Sequence, residues 1–249
     1  MKHKRKTVQR VFARVAGGYD SANLRISLGR QTAWKQALVR ELIPEGAVAS
    51  GLKIADICCG TGSVAAMIKK EYPDAVVTGI DFSEAMLRIA KRKYAKAEGL
   101  CFIKADSESL PFAENSFDAA AISFGLRNTT DYRKVLTGMC RVVKDGGRIC
   151  ILDSFLPENR LILPVYRLYF HLIMPFIGGG ISRWKEYRLL TETTEAFLTP
   201  SELKKLMRET GIGKISIKRS MFGACVLLTG TLRKRMHNRR NLCNTGTKS

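Results

Sequence analysis

The chain has 249 residues, an apolar fraction of 45% and seven cysteines; the length suits one α/β domain with additions, by a prior of about 150 residues per domain. The odd cysteine count and the lack of any C-x-x-C pair argue against a disulfide or zinc framework and for small buried hydrophobes of a reducing compartment. The formal charge of +20 is largely terminal, since residues 1–10 and 233–249 carry five and six Lys/Arg and no acid, leaving 31 basic against 22 acidic residues in between.

Residues 1–10 read as a solvated basic tail, with an anionic membrane surface or nucleic acid as the functional alternatives. No apolar signal core follows Met1–Lys6, so a cytoplasmic protein is expected. A single domain is then expected over 11–232. Its first part is helical, with Val11, Phe12 and Val15 on one face and Gly17-Gly18 as a break. Tyr19-Asp20 and Asn23 are not explained by packing and could close over a ligand.

Ile54-Ala55-Asp56-Ile57-Cys58-Cys59-Gly60-Thr61-Gly62 then reads as a buried strand running into a glycine loop, with a helix from Ser63 to Glu71. Strand, glycine loop and helix let backbone approach a ligand at a helix N-terminus. Gly60, Gly62 and Ala65 also satisfy a dinucleotide fingerprint, with Asp81 as the following acid. Asp56 at the loop mouth would, however, repel a pyrophosphate. S-adenosylmethionine carries an ammonium and a sulfonium instead, and Asp81 can accept from its ribose hydroxyls. The charge argument favours S-adenosylmethionine.

The alternation continues. Strands are predicted over 52–57, 76–81, 100–105, 117–123 and 148–153, with helices over 63–71, 83–97 and 131–143 between them. This pattern predicts a doubly wound, mainly parallel sheet with its site at the carboxyl ends of the strands. Those ends read Asp56, Asp81, Asp106-Ser107, Ser123 and Asp153. Asp106 is placed to accept from an adenine amino group, and the Ser107 backbone to bond the ring. Residues 160–190 read as an apolar, broken helical lid, too interrupted by Arg167, His171 and two prolines for a membrane span. A helix over 200–209 and a hairpin of 214–220 with 224–231 close the domain, and 233–249 is a second basic tail.

Over about residues 8–231 the chain resembles the ubiquinone/menaquinone biosynthesis C-methyltransferases. The carriers are Val11-Phe12, Val15-Ala16, Tyr19-Asp20, Asn23, Ser27-Leu28-Gly29 and Trp34-Lys35, with Asp56, Gly60-Thr61-Gly62, Ala105–Phe112 and Ile122-Ser123-Phe124-Gly125-Leu126-Arg127-Asn128. The resemblance implies a class I, Rossmann-like methyltransferase with a seven-stranded sheet ending in an antiparallel hairpin. It implies S-adenosyl-L-methionine as cofactor, with Thr61, Asp81, Asp106, Ser107 and Ser123 as its contacts; Tyr19, Asp56, Gly60 and Gly62 join the expected cofactor site from the reading of the loop and the N-terminal segment above. The implied substrate is a polyprenyl quinol, methylated on a ring carbon. Each buried methylene of its tail is worth about 0.8 kcal/mol, so work at a membrane surface is expected; without an aromatic-interleaved basic patch no nucleic acid is expected, and a homo-oligomer is compatible. Arg127 would stabilise a phenolate or order a water, Asn128 orient the ring oxygen, and Asp153 or His171 take the proton. Cys58, Cys59 and Asp153 depart from the residues usual there.

Overall fold

A computed structural model describes residues 2–44, 51–179 and 184–234. The described strands are β1 (Lys53–Ile57), β2 (Val76–Asp81), β3 (Leu100–Lys104), β4 (Phe117–Ser123), β5 (Val143–Ser154), β6 (Ile212–Ser220) and β7 (Cys225–Leu232). They form one sheet in the order β3-β2-β1-β4-β5-β7-β6. The first five are parallel, and β7 runs antiparallel between β5 and β6. The strand order reverses between β1 and β4, so the crevice outside their carboxyl ends is where an open α/β sheet binds ligands.

Period-two alternation divides the core between the two faces. Ala55, Ile57, Ala120, Ile122, Ile149 and Ile151 point to one face. There they meet α6 (Tyr132–Val142) through Leu136 and Met139, and α10 (Pro200–Glu209) through Leu203 and Met207. Ile54, Ala119, Ala121, Cys150 and Leu152 point to the other. They meet Leu38 and Leu42 at the end of α3 (Gln31–Glu41), Ile68 of α4 (Ser63–Glu71) and Leu87 of α5 (Glu84–Lys93). Leu136 and Leu38 are fully buried, so truncating either to alanine costs about 2–5 kcal/mol.

Local signals set the boundaries. Asp131 caps α6 by accepting from the Lys134 amide at 3.0 Å, and Thr199 with Glu202 forms a capping box ahead of Pro200. Strand β5 starts earlier than the glycine turn suggests. Val143 pairs with Phe117, residues 144–147 bulge out, and pairing resumes at Arg148 with Ala119.

The basic N-terminal stretch is not a tail in this fold. It is the first part of α1 (Lys2–Val15), in which Val8 is buried. Val8, Phe12 and Val15 lie four and three residues apart, one helical stripe that begins inside the charged run. Val15 belongs to one buried cluster with Ala22 of α2 (Tyr19–Ile26) and Met174 of the lid, against which Phe12 and Tyr169 pack. The lid is α7 (Leu163–Leu168), a π-turn (Tyr169–Ile173) and α8 (Met174–Gly179) end to end, followed by α9 (Trp184–Glu195). Pro175 has no amide hydrogen for the carbonyl four residues earlier, which accounts for a widened turn just ahead of it rather than a break. Residues 180–183 of the lid and the basic tail beyond Lys234 lie outside the described residues.

Candidate active site

Asp56 ends β1 and caps α4: its Oδ2 accepts from the Ala65 amide at 2.9 Å, while Oδ1 is buried without a partner. Burial pushes this carboxyl from its ordinary 3.8 to about 7, against the Ala65 amide and the Lys35 ammonium. Asp81 ends β2 and braces the loop, accepting from the Gly60 amide at Oδ2 and the Ser83 amide at Oδ1, both at 2.8 Å. Burial raises its pKa as well, opposed by those amides. Gly62 has φ of 81°, and a Cβ there would stand 2.7 Å from the Phe102 ring, so only glycine lets the loop turn this tightly over β3.

The N-terminal segment closes the loop from above. Asp20 of α2 accepts from the Thr61 hydroxyl at 2.7 Å and pairs with Lys93 at 3.1 Å. Lys35 of α3 is buried and donates to the Ser63 hydroxyl at 2.8 Å. Its pKa is lowered by burial, although Asp20 and Asp56 act to hold its charge.

Two cavities meet over the sheet. The first is lined by Tyr19, Asp56, Gly60, Thr61, Asp81, Asp106, Ser107 and Ser123, together with Lys35 and Asn128. Eight of the nine residues expected to hold a cofactor are therefore together; Gly62 sits behind them as the N-cap of α4. The Ser123 hydroxyl and Asn128 Oδ1 are buried without partners. The second cavity has a volume of about 460 Å³, within the range of small-molecule sites. Its walls are mainly apolar and aromatic, including Ile26, Trp34, Tyr166, Tyr169 and Phe170. The cavities share Tyr19, Gln31 and Phe124.

Arg127 lies in a short 3-10 turn after β4 and lines the second cavity. Its amide and guanidinium both donate to Asp153, and its Nε is buried without a partner. Burial opposes the charge, but Asp153 holds the guanidinium above its usual pKa. The ring of Phe124 lies 5.8 Å beneath the guanidinium carbon. Gly125 makes the turn possible, because a Cβ there would come within 2.5 Å of Cys58 Cβ. Tyr166 stacks on Phe170 at 4.3 Å, and its buried hydroxyl has no partner.

The two expected proton acceptors are placed elsewhere. Asp153 is fully buried and lines neither cavity; it accepts from Arg127 and from the Ser154 amide at 2.8 Å. It positions Arg127. His171 also lines neither cavity; it lies in the π-turn and meets Glu195, 3.0 Å away on α9. Lys35 and Tyr166 are the site residues that sequence reasoning passed over. Lys35 stood in the Trp34-Lys35 pair of the resemblance, whereas Tyr166 was hidden in an apolar run.

Fold and site define a methyltransferase of the class I, S-adenosylmethionine-dependent type. The chain belongs to the ubiE/COQ5 methyltransferase family, whose model matches residues 1–232 and so takes in the N-terminal helix. It is 36% identical over 231 residues to the demethylmenaquinone methyltransferase of Staphylococcus aureus (strain JH9), covering 92% of this chain and 94% of that one. Among solved structures it is similar to a possible histamine N-methyltransferase from Thermotoga maritima, with a TM-score of 0.62, 19% identity, and 90% and 99% of the two chains covered. Haemonchus contortus phosphoethanolamine N-methyltransferase 2, in complex with S-adenosyl-L-methionine, has a TM-score of 0.61 at 16% identity, with 80% and 52% covered.

The family's cofactor fits this site. The unpartnered Asp56 Oδ1 is a buried acceptor suited to an ammonium, and the buried Lys35 suits a carboxylate. Asp81 keeps lone pairs for ribose hydroxyls beyond the two amides it accepts from.

Proposed function

We propose that the protein methylates a ring carbon of a polyprenylated quinol, demethylmenaquinol or the equivalent ubiquinol precursor. The observation that carries this reading is the second cavity: apolar and aromatic, with one unpartnered polar atom on each of two lining residues, Nε of Arg127 and the hydroxyl of Tyr166. An aromatic ring bearing an oxygen matches that lining. When bound, S-adenosylmethionine supplies an electrophilic methyl on a positive sulfur.

The chain's own residues do the rest. Tyr19, Gln31 and Phe124 border both cavities and would hold the ring against the methyl donor. Such alignment contributes up to about 7–11 kcal/mol to a two-reactant step. A phenolic hydroxyl has a pKa of about 10, and the ring carbon becomes nucleophilic as its proton leaves. Arg127 Nε and the Tyr166 hydroxyl would donate to the resulting oxyanion. Among the described residues, the second cavity is lined by no carboxylate or imidazole. The quinol therefore ionises beside Arg127 and passes its proton to water.

The test is radiolabelled methyl transfer to demethylmenaquinol, a demethylated ubiquinol precursor and bulk RNA, with Asp81→Ala as the inactive control. Label in a quinol supports the reading. Label in RNA alone replaces it with a nucleic-acid methyltransferase, and label in nothing favours a cofactor-binding scaffold.

A further inference from the structure

The second cavity opens through side chains that a water-facing surface would not select. Leu28, Leu161, Val165 and Phe222 all line it, yet they are 65%, 85%, 67% and 79% exposed. They come from the turn after α2, the start of the lid and the turn between β6 and β7, so three distant segments build one apolar rim. The lid extends it: Leu161, Val165, Leu168, Leu172 and Phe176 recur at spacings of four, three, four and four, and all are exposed. A contiguous exposed apolar face of this kind marks an interaction surface.

The backbone is a second, independent sign. Leu28, Met221 and Phe222 have φ of 50°, 48° and 56°. Bulky side chains rarely adopt this left-handed conformation, and at an ordinary turn glycine would. Strained backbone and exposed apolar side chains thus coincide at the same mouth, which points to use rather than packing. The charge around the rim selects the partner. Arg25, Arg30 and Arg160 are exposed next to rim residues in the chain, residues 21–31 contain no acid, and the nearby Glu158 is paired with Arg219 at 3.5 Å.

We propose that this rim is a membrane-docking edge that seats in an anionic leaflet, with the cavity mouth facing the lipid. A second copy of the chain fits less well, because it would bring the same arginines face to face. No described helix is long and apolar enough to cross a membrane, so contact is interfacial. One consequence rests on the quinol reading: a polyprenyl tail would pass from bilayer to cavity without entering water.

The experiment is co-sedimentation of the full chain with vesicles of phosphatidylcholine, alone or with about one-third phosphatidylglycerol. Leu168 and Leu172 lie on the exposed stripe and line neither cavity. Leu168→Ser/Leu172→Ser should weaken binding to the anionic vesicles about tenfold. Arg25→Gln/Arg30→Gln should weaken it and flatten its salt dependence. With a long-tailed quinol in vesicles the serine variant should raise KM, while kcat on a tailless quinol stays unchanged. Vesicle binding equal to wild type in both variants overturns the proposal. So does a serine variant that only converts a dimer to a monomer, which would make a second copy the occupant. Lost vesicle binding with no quinol methylated by any form would sink the substrate reading and leave the docking edge standing.

Discussion

On the proposed reading, the cofactor side is the first cavity and the substrate side the second, and the two are built by different means. On the cofactor side, Asp56 accepts from an amide nine positions on, and Asp81 from amides two positions on and in the glycine loop 21 positions back. The substrate side is assembled from segments far apart in the chain. Tyr169 donates to the Ile26 carbonyl at 2.6 Å across 143 residues, and Phe222 reaches the same cavity from the closing hairpin. A sheet end supplies fixed polar geometry at little cost in chain entropy. Distant lids supply shape and apolar surface, and they let the acceptor differ while the methyl donor stays the same.

If the two sides are energetically separate, a change on one should leave the other intact. The largest effect belongs to Arg127→Met. It strands the fully buried Asp153 carboxylate, which should cost about 3–5 kcal/mol of stability in denaturant melts. It also removes a donor to the developing oxyanion, so kcat should fall about 10²–10³-fold where the protein remains folded. Cofactor affinity by calorimetry should barely move. A comparable loss of cofactor affinity would merge the two sides into one.

Next comes Asp81→Ala on the opposite side. It deletes the acceptor for two loop amides and for the expected ribose contact, and should cost about 1.5–3 kcal/mol of cofactor affinity. Quinol binding measured without cofactor should be unchanged. Unaltered S-adenosylmethionine affinity would break the assignment of the first cavity.

A pH series sharpens the comparison further. The Asp56 carboxyl, raised by burial to about 7, must be ionised to meet an ammonium. Cofactor affinity should therefore fall about tenfold per pH unit below 7 and level off above it. Without cofactor the sign reverses. Between its ordinary 3.8 and about 7 the folded chain holds a proton that the unfolded chain has lost, so this group makes the apo-protein less stable as pH rises through that window. Asp56→Asn should flatten both profiles. An affinity profile that stays flat in the native chain would show that Asp56 does not meet a charged group.

The same division governs what could be read beforehand. Strand ends were legible because an apolar run, an acid and a glycine loop are adjacent in the chain, as in Ile54–Gly62. The closing hairpin and the 200–209 helix were legible for the same reason. The N-terminal helix is legible from Thr7 onward through Val11, Phe12 and Val15; its start at Lys2 is not, because five positive charges outweigh the buried Val8 in a composition reading. Lys35 on Ser63 and Asp20 on Thr61 join positions 28 and 41 residues apart, which no local pattern announces. From its place at a strand end Asp153 reads as a base. Its partner, Arg127, is 26 residues earlier and fully engages it.

The smallest expected effect tests the residue that chemistry favoured and geometry displaced. His171 was attractive as the only histidine away from the chain ends. It lies within the π-turn over Tyr169–Ile173, and its imidazole sits on Glu195 rather than in either cavity. The side chains of that pair are 42% and 32% exposed, and partly exposed pairs of this kind contribute about 0–1 kcal/mol. His171→Asn should therefore shift the melting midpoint only slightly and change kcat by less than about twofold. The kcat profile against pH should keep its shape. A large loss of kcat with a displaced pH profile would mean that the lid turns on binding substrate and brings the imidazole to the ring oxygen, giving the substrate side a base that the cofactor side does not need.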